Sequence, residues 1–231
     1  MCRPRRRRRH RGPRRLVRGI GVSTDATGDL AAAVRELAAL VHGRILDEAS
    51  AARARRLVAE AAELVAACPP RPRWHEGPDR RARSAALSPF SGSLNVVAPP
   101  LTLDRVTLDD ATPAIEGRVR LDRLREGPPH SVHGGVLAGL FDEVCGAAQR
   151  LTGRPGGVTA RLLVRYRRPT PLDTDLRLVA WVADERTRRV HVRGRCEAGG
   201  VVTAEAEAVF VRVNTWPASG EAVGGGTATA T

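Results

Sequence analysis

Two glycines and an acidic pair in the middle of the chain are the residues best suited to chemistry. Gly134 and Gly135 follow His133, and Asp142-Glu143 comes two helical turns later. The start of a helix leaves backbone N–H groups unpaired, and the helix dipole adds positive potential there. Glycines let a substrate carbonyl approach such donors closely. The pattern therefore predicts an oxyanion hole at the glycines, with Asp142 as an acid able to activate water.

The spacing of these groups implies two chains. Asp142 lies eight residues after Gly134, which is roughly 12 Å along a helix that rises 1.5 Å per residue. One chain alone cannot place both groups on the same carbonyl carbon. Two such helices running antiparallel across a twofold axis would bring the start of one beside the middle of the other. We therefore expect a homodimer in which each site combines the Gly134 amide with Asp142 of the partner subunit.

One helix and six strands are predicted to position these groups. From Gly134 to Leu151 apolar residues recur every three or four positions and cover most of the helix circumference, so we expect this helix to be enclosed by a sheet. The strand candidates are residues 101–106, 114–121, 161–166, 176–183, 190–196 and 201–213. Two strands, one buried helix and then four strands indicate an α+β fold.

The flanking segments differ in composition from this domain. Residues 1–28 are rich in arginine and are predicted to be a disordered tail, and residues 29–68 carry two apolar patterns at helical spacing, with Thr27 and Asp29 as candidate caps. Residues 69–86 contain several prolines and arginines and read as a linker. Residues 87–214 form the main domain, and residues 215–231 are expected to be a flexible tail.

Charge and cysteine content narrow the function classes. The 231 residues are 42% apolar and 27% charged, which excludes fibrous and fully disordered proteins. Ten arginines in residues 1–18 account for most of the net charge of +13 and leave +3 elsewhere, so only that tail suggests a nucleic-acid or other polyanionic partner.

No apolar run is long enough for a membrane span or an export signal, so we predict a cytoplasmic protein. The cysteines lack metal-binding spacing and are expected to be reduced thiols, with Cys145 and Cys196 as small core residues.

The stretch from His133 to Glu143 resembles the signature of the hotdog-fold acyl-CoA thioesterases of the PaaI-like group. The similarity covers about residues 87 to 213. It includes Glu126-Gly127-Pro128-Pro129, Asn95, Ala98-Pro99-Pro100-Leu101, and the segment from Thr159 through Tyr166-Arg167-Arg168-Pro169-Thr170-Pro171-Leu172. The resemblance implies a hotdog fold, in which a curved antiparallel sheet wraps a buried central helix, here with an N-terminal α-helical extension. It also implies an acyl-CoA substrate, no metal or other cofactor, and a homodimer that can pair again into a tetramer.

The same resemblance implies roles for individual residues. The Gly134 N–H would polarise the thioester carbonyl, and His133 would shape the turn and contact the substrate. Asp142 of the partner subunit would act as nucleophile or as the general base that activates water, and Thr159 would orient the water or the carboxylate. Position 127, where some relatives carry a polar residue, is Gly here.

Four further residues are assigned lesser roles. Gly135 joins the predicted substrate contacts, and Arg167 and Arg168 are candidates for binding the phosphates of coenzyme A. Glu143 is expected to be a solvated or helix-pairing neighbour of Asp142 rather than a second base.

Three alternatives to a thioesterase stay open at this point. A non-catalytic hotdog module would bind an acyl-CoA or a partner protein without turnover. A polyanion-binding protein would act through the N-terminal arginines. A hotdog dehydratase fits less well, because the motif pairs an acid with glycine donors and not with a histidine opposite an acid.

Overall fold

The computed structural model describes residues 26–76, 80–154 and 156–213. The helices are α1 (Ala26–Gly43), α2 (Glu48–Ala66), α3 (Arg80–Leu87) and α4 (Gly134–Ala148). The strands are β1 (Thr102–Thr107), β2 (Pro113–Arg120), β3 (Val158–Tyr166), β4 (Asp175–Glu185), β5 (Arg189–Ala198) and β6 (Val201–Val211). The predicted tails lie outside the described residues, except for residues 26–28, which belong to α1.

One antiparallel sheet wraps around α4. Its strand order is β1-β2-β4-β5-β6-β3, and every pair in it is antiparallel. Because α4 connects β2 to β3, the chain crosses the sheet and returns as the edge strand on the far side. This is the hotdog arrangement, so the predicted α+β class and fold are confirmed.

The core lies between α4 and the inner face of the sheet. Six α4 side chains are at most 1% exposed, namely Leu137, Leu140, Phe141, Val144, Cys145 and Ala148. On β6 the inner row consists of Ala204, Ala206, Ala208 and Phe210, and the small side chains of the three alanines allow the helix to pack closely. Burial of α4 on most sides follows from its apolar circumference, as the sequence predicted.

The outer face of the sheet is a layer of paired charges. Glu116 on β2 is 6% exposed, and its carboxylate accepts a hydrogen bond from Arg177 Nε at 2.6 Å. Arg177 also donates to Glu197 at 2.9 Å, and Glu197 accepts from Arg195 at 2.6 Å. These acids are therefore compensated within the sheet, as partly buried charges must be.

The N-terminal extension docks through α1. Arg35 donates to the Asn95 backbone carbonyl at 3.1 Å, and Ala31 is buried, so α1 rests on the hotdog domain. Helix α2 has no buried side chain, and it begins at the cap Asp47, whose side chain accepts a hydrogen bond from the Ser50 N–H. None of the helices among the described residues has the length and apolarity needed to span a membrane.

Two predicted boundaries of the extension differ from the structure. Helix α1 begins at Ala26, so Thr27 and Asp29 lie in its first turn and not before it; an acid there complements the helix dipole. The predicted linker, residues 69–86, is helical over most of its second half, where α3 runs from Arg80 to Leu87. Its arginines and alanines are good helix formers, and no proline interrupts them.

Because Cys145 is buried, the free energy of unfolding is expected to fall at alkaline pH. Loss of hydration raises the pKa of this thiol to about 12, and the negative charge of Asp142 adds to the rise. An unfolded thiol ionises near pH 9, so above that pH the unfolded chain holds fewer protons than the native one and native stability falls. We expect Cys145→Ala to make the decline in unfolding free energy between pH 9 and 11 shallower by about 1.4 kcal/mol per pH unit. Urea unfolding of both proteins measures this, and parallel pH curves would contradict it.

Candidate functional site

His133 caps the start of α4. It has extended backbone angles (φ −60°, ψ 131°), and its Nδ1 accepts a hydrogen bond from the Gly135 N–H at 3.0 Å. Its own N–H donates to the Arg125 carbonyl at 2.8 Å, while its carbonyl accepts from the Val136 N–H at 3.0 Å. Within the part of the chain that the structure describes, the N–H of Gly134 has no acceptor. The helix therefore presents one free donor, and Gly135 does not add a second.

Tyr166 fixes the first peptide of α4 from the other side. Its hydroxyl donates to the Gly134 carbonyl at 2.8 Å. The peptide that joins Gly134 to Gly135 is thus held at its oxygen by Tyr166 and at its N–H by His133. The sequence analysis assigned no role to Tyr166. The only feature that could have pointed to it was its position in the Tyr-Arg-Arg-Pro segment that resembles the family.

Gly127 lies against the histidine cap. A Cβ at this position would stand 2.7 Å from the His133 Cα, closer than real contacts allow. A side chain here would require His133 to move, so glycine at position 127 is a steric requirement of this loop.

Asp142 and Thr159 meet at the opposite end of the site. The Thr159 hydroxyl donates to Asp142 Oδ1 at 2.7 Å. Asp142 is half-buried on α4 and faces a cavity of about 450 Å³ that Thr159 also lines. The hydroxyl orients the carboxylate through Oδ1, and no described residue donates a hydrogen bond to Oδ2.

The two halves of the site stand apart in a single chain. α4 runs antiparallel to β3, since Gly134 contacts Tyr166 at one end and Asp142 contacts Thr159 at the other. The eight residues from Gly134 to Asp142 correspond to roughly 12 Å of helix. The structure thus brings together His133, Gly134 and Tyr166, and separately Asp142 and Thr159. Of this arrangement, the spacing in the sequence predicted the separation of Gly134 from Asp142.

Glu143 differs from its predicted role. It is half-buried, and its Oε1 accepts hydrogen bonds from the hydroxyls of Ser88, at 2.8 Å, and Ser91. The expectation of a solvated or helix-pairing residue is therefore wrong, because Glu143 fastens the segment before β1 onto α4.

The two arginines after β3 differ in their side-chain partners. Arg167 forms an ion pair with Glu205 at 2.6 Å, whereas the Arg168 guanidinium is exposed and has no partner among the described residues. The backbone N–H groups of both donate to the Thr203 carbonyl. Arg168 is thus the better placed of the two for a phosphate, although both lie at the Tyr166 end of β3.

No three His, Cys, Asp or Glu side chains in residues 26–76, 80–154 and 156–213 are grouped closely enough to hold a metal ion. His130, near the glycines, adopts a left-handed backbone conformation with φ +58°. Its N–H donates to a Glu126 carboxylate oxygen at 2.7 Å, which stabilises the loop before the cap.

Comparison by sequence identifies a family for this segment. The family model of the thioesterase superfamily matches residues 130–205, which include α4, Thr159 and Tyr166. No curated protein sequence matches the chain significantly.

Three solved structures illustrate the structural similarity. The structure of protein RHA08564, described as a thioesterase superfamily protein, is 30% identical, covers 81% of this chain and 96% of its own, and gives a TM-score of 0.69. Thioesterase superfamily member 2 from Mus musculus is 14% identical, covers 55% of this chain and 96% of its own, and gives a TM-score of 0.45. The E. coli PaaI protein from the phenylacetic acid degradation operon is 17% identical, covers 48% of this chain and 82% of its own, and gives a TM-score of 0.42.

The match to RHA08564 extends beyond the hotdog domain. Residues 87–213 make up little more than half of the chain, so a match over 81% of it must include residues outside them. The agreement in fold, together with 30% identity over nearly all of that relative, assigns the family. The chain belongs to the thioesterase superfamily, as the resemblance of its central motif predicted.

Proposed function

We propose that this protein is an acyl-CoA thioesterase, which hydrolyses a thioester to a free acid and coenzyme A. The observation that carries the proposal is the N–H of Gly134 at the start of a buried helix, which has no acceptor among the described residues. The same helix carries Asp142, which accepts a hydrogen bond from Thr159. Membership of the thioesterase superfamily supports the reaction class.

The Gly134 N–H is suited to stabilise developing negative charge on the thioester oxygen. It lies at the positive end of α4, and the neighbouring peptide is held by His133 and Tyr166, so the donor needs little reorganisation. A donor fixed in this way stabilises the transition state more than the ground state. His133 and Tyr166 then act as positioning residues for Gly134.

Asp142 supplies the other half of the reaction. As a general base it would take a proton from water while the water oxygen attacks the carbonyl carbon; the C–S bond then breaks, and the coenzyme A thiolate leaves and is protonated. As a nucleophile it would attack the carbonyl carbon and expel the coenzyme A thiolate, which is then protonated, and water would cleave the resulting anhydride to the free acid and the Asp142 carboxylate. Either route uses a carboxylate oriented by Thr159, whose hydroxyl is 2.7 Å away.

A dimer formed through β3 would unite the two halves. β3 is an edge strand that pairs with β6 on one side only, and an open edge of nine residues favours pairing with another chain. Thr159 and Tyr166 are equidistant from a point between residues 162 and 163. Antiparallel pairing of two β3 strands about that point would bring the Gly134 end of each chain beside Asp142 of the partner subunit.

Coenzyme A would then lie toward the Gly134 end of each site. Arg168 is exposed there and is proposed to bind a phosphate, with Arg167 contributing if it leaves Glu205. Gly135 would contribute close approach of the substrate, because its N–H is already bonded to His133. A soluble cytoplasmic enzyme is our proposal for the cellular setting.

Replacing Asp142 tests the reaction directly. Asp142→Asn keeps the size of the side chain but removes the base, so kcat for acyl-CoA hydrolysis should fall by about 10²–10⁴-fold with folding intact. Thiol release from short, long and aryl acyl-CoAs measures this, and Asp104→Asn on the exposed surface of β1 is the matched control. Full activity of Asp142→Asn across the panel would contradict the assignment. Saturable binding without thiol release by the wild type would favour the non-catalytic module.

Removing the Gly134 N–H tests the donor. Proline is favoured at the first position of a helix, and the extended conformation of His133 suits a residue that precedes proline. Gly134→Pro should therefore fold and lose about 10²–10³-fold in kcat. Gly134→Ala, which keeps the N–H, should lose far less; equal losses in both variants would show that the side chain and not the donor matters.

The shared site also predicts the size of the particle. Sedimentation equilibrium of the purified protein should give at least twice the chain mass of 24.8 kDa, because a single chain separates the donor from the acid. A monomer that hydrolyses acyl-CoA would contradict the two-chain site.

A further inference from the structure

The cavity in front of Asp142 has a wall that does not belong to the hotdog sheet. On one side it is lined by α4 and by Phe210 of β6. On the other side it is lined by α3 and by the Leu87–Ser91 segment, which begins with the last residue of α3. At about 450 Å³ the cavity is within the usual range for small-molecule sites.

Two fastenings hold the Leu87–Ser91 segment against α4. The Phe90 ring lies directly over Gly139, where a Cβ would come within 2.0 Å of the ring, so a side chain there would displace Phe90. One turn later Glu143 accepts hydrogen bonds from the hydroxyls of Ser88 and Ser91. A half-buried aromatic contact and a charge-assisted pair of hydrogen bonds give this wall a defined position.

Two neighbouring rows of α4 residues contact the wall and the cavity. Residues four apart lie on the same face of a helix. Gly139 and Glu143 belong to the row that carries the wall, and Asp142 and Gly146 belong to the neighbouring row. Glu143, Asp142 and Gly146 all line the cavity. Gly146 leaves open space, since a Cβ there would have Phe210 as its nearest neighbour at 4.0 Å.

We propose that this cavity receives the acyl group of the substrate, and that the wall fastened by Glu143, Ser88 and Ser91 limits the length of acyl chain accepted. The inference rests on the proposed function. Phe210, Leu103 and Ala147 provide apolar surface, while the carboxylates of Asp142 and Glu143 disfavour the phosphates of coenzyme A. The ligand class is therefore an uncharged acyl chain that starts at Asp142 and runs past Gly146. The cavity continues to the exposed Arg150, eight residues after Asp142.

Filling the cavity tests the acyl site. Gly146→Leu places a side chain along the proposed acyl path and raises helix propensity, so the variant should fold. The ratio of kcat/KM for dodecanoyl-CoA to that for acetyl-CoA should fall at least about tenfold, because a longer chain loses the enclosure of several methylenes. Gly43→Leu, at the end of α1 where a Cβ meets nothing within 4 Å, is the matched control. An unchanged ratio in Gly146→Leu would overturn the acyl site while leaving thioesterase activity established.

Releasing the wall tests the length limit. Combined Ser88→Ala and Ser91→Ala removes both hydrogen bonds to Glu143 and should raise the relative kcat/KM for chains longer than the best wild-type substrate. A chain-length profile identical to that of the wild type would overturn the role of the wall.

Binding measurements separate this inference from the proposed function. The dodecyl thioether of coenzyme A cannot be hydrolysed, so its affinity can be measured by calorimetry whether or not the protein turns over acyl-CoA. Gly146→Leu should weaken dodecyl-CoA binding at least about tenfold relative to methyl-CoA. Equal weakening of both analogues, or none, would overturn the inference; absence of thiol release alone would overturn only the proposed function.

Discussion

The start of α4 is the constraint on which the site depends. A helix leaves its first backbone N–H groups without helical partners. Here three of the first four are bonded, those of His133, Gly135 and Val136, while that of Gly134 has no acceptor within the described residues. An unpaired donor next to a buried core is costly unless a ligand or water accepts from it. The loop before α4, the tight contact at Gly127 and the hydroxyl of Tyr166 all hold this one donor in place.

The same packing separates the donor from the acid that should act with it. Because β3 lies antiparallel beside α4, Thr159 reaches Asp142 at one end and Tyr166 reaches Gly134 at the other. The open edge of β3 lies between the two ends. In the proposed dimer, a twofold axis through that edge would pair the open strand and complete both sites at once. That symmetry would account for the placement of the two halves of the site at opposite ends of one element.

The sequence predicted the positions of α4 and of all six strands, because their apolar patterns have the period of the element that forms. It also predicted that Asp142 and Thr159 belong together, through the family resemblance. Which face of β6 is buried was harder to predict. Val209 and Val211 lie on the less buried face, and the buried face consists of three alanines and Phe210. Alanines occur on both exposed and buried faces, so they do not indicate which face of the strand packs against the helix.

Contacts between distant segments could not be predicted. Glu143 is bound by serines 55 and 52 residues upstream, in a segment without periodic pattern, and α3 formed where prolines nearby suggested a linker. Tyr166 looked like an ordinary strand residue, because its bond to Gly134 depends on the direction of α4 relative to β3. The Glu143 and Tyr166 contacts arise from tertiary packing, whereas α3 follows a local helix propensity that the nearby prolines concealed.

The central claim is that each site combines the amide of one chain with the acid of another. Mixed dimers test it most directly: Gly134→Pro and Asp142→Asn chains, each nearly inactive alone, are unfolded, combined in equal amounts and refolded. Half of the dimers should then contain one chain of each kind and one intact site, so roughly a quarter of the wild-type activity should return. Activity no higher than that of the separate variants, in preparations shown to contain mixed dimers, would contradict the shared site.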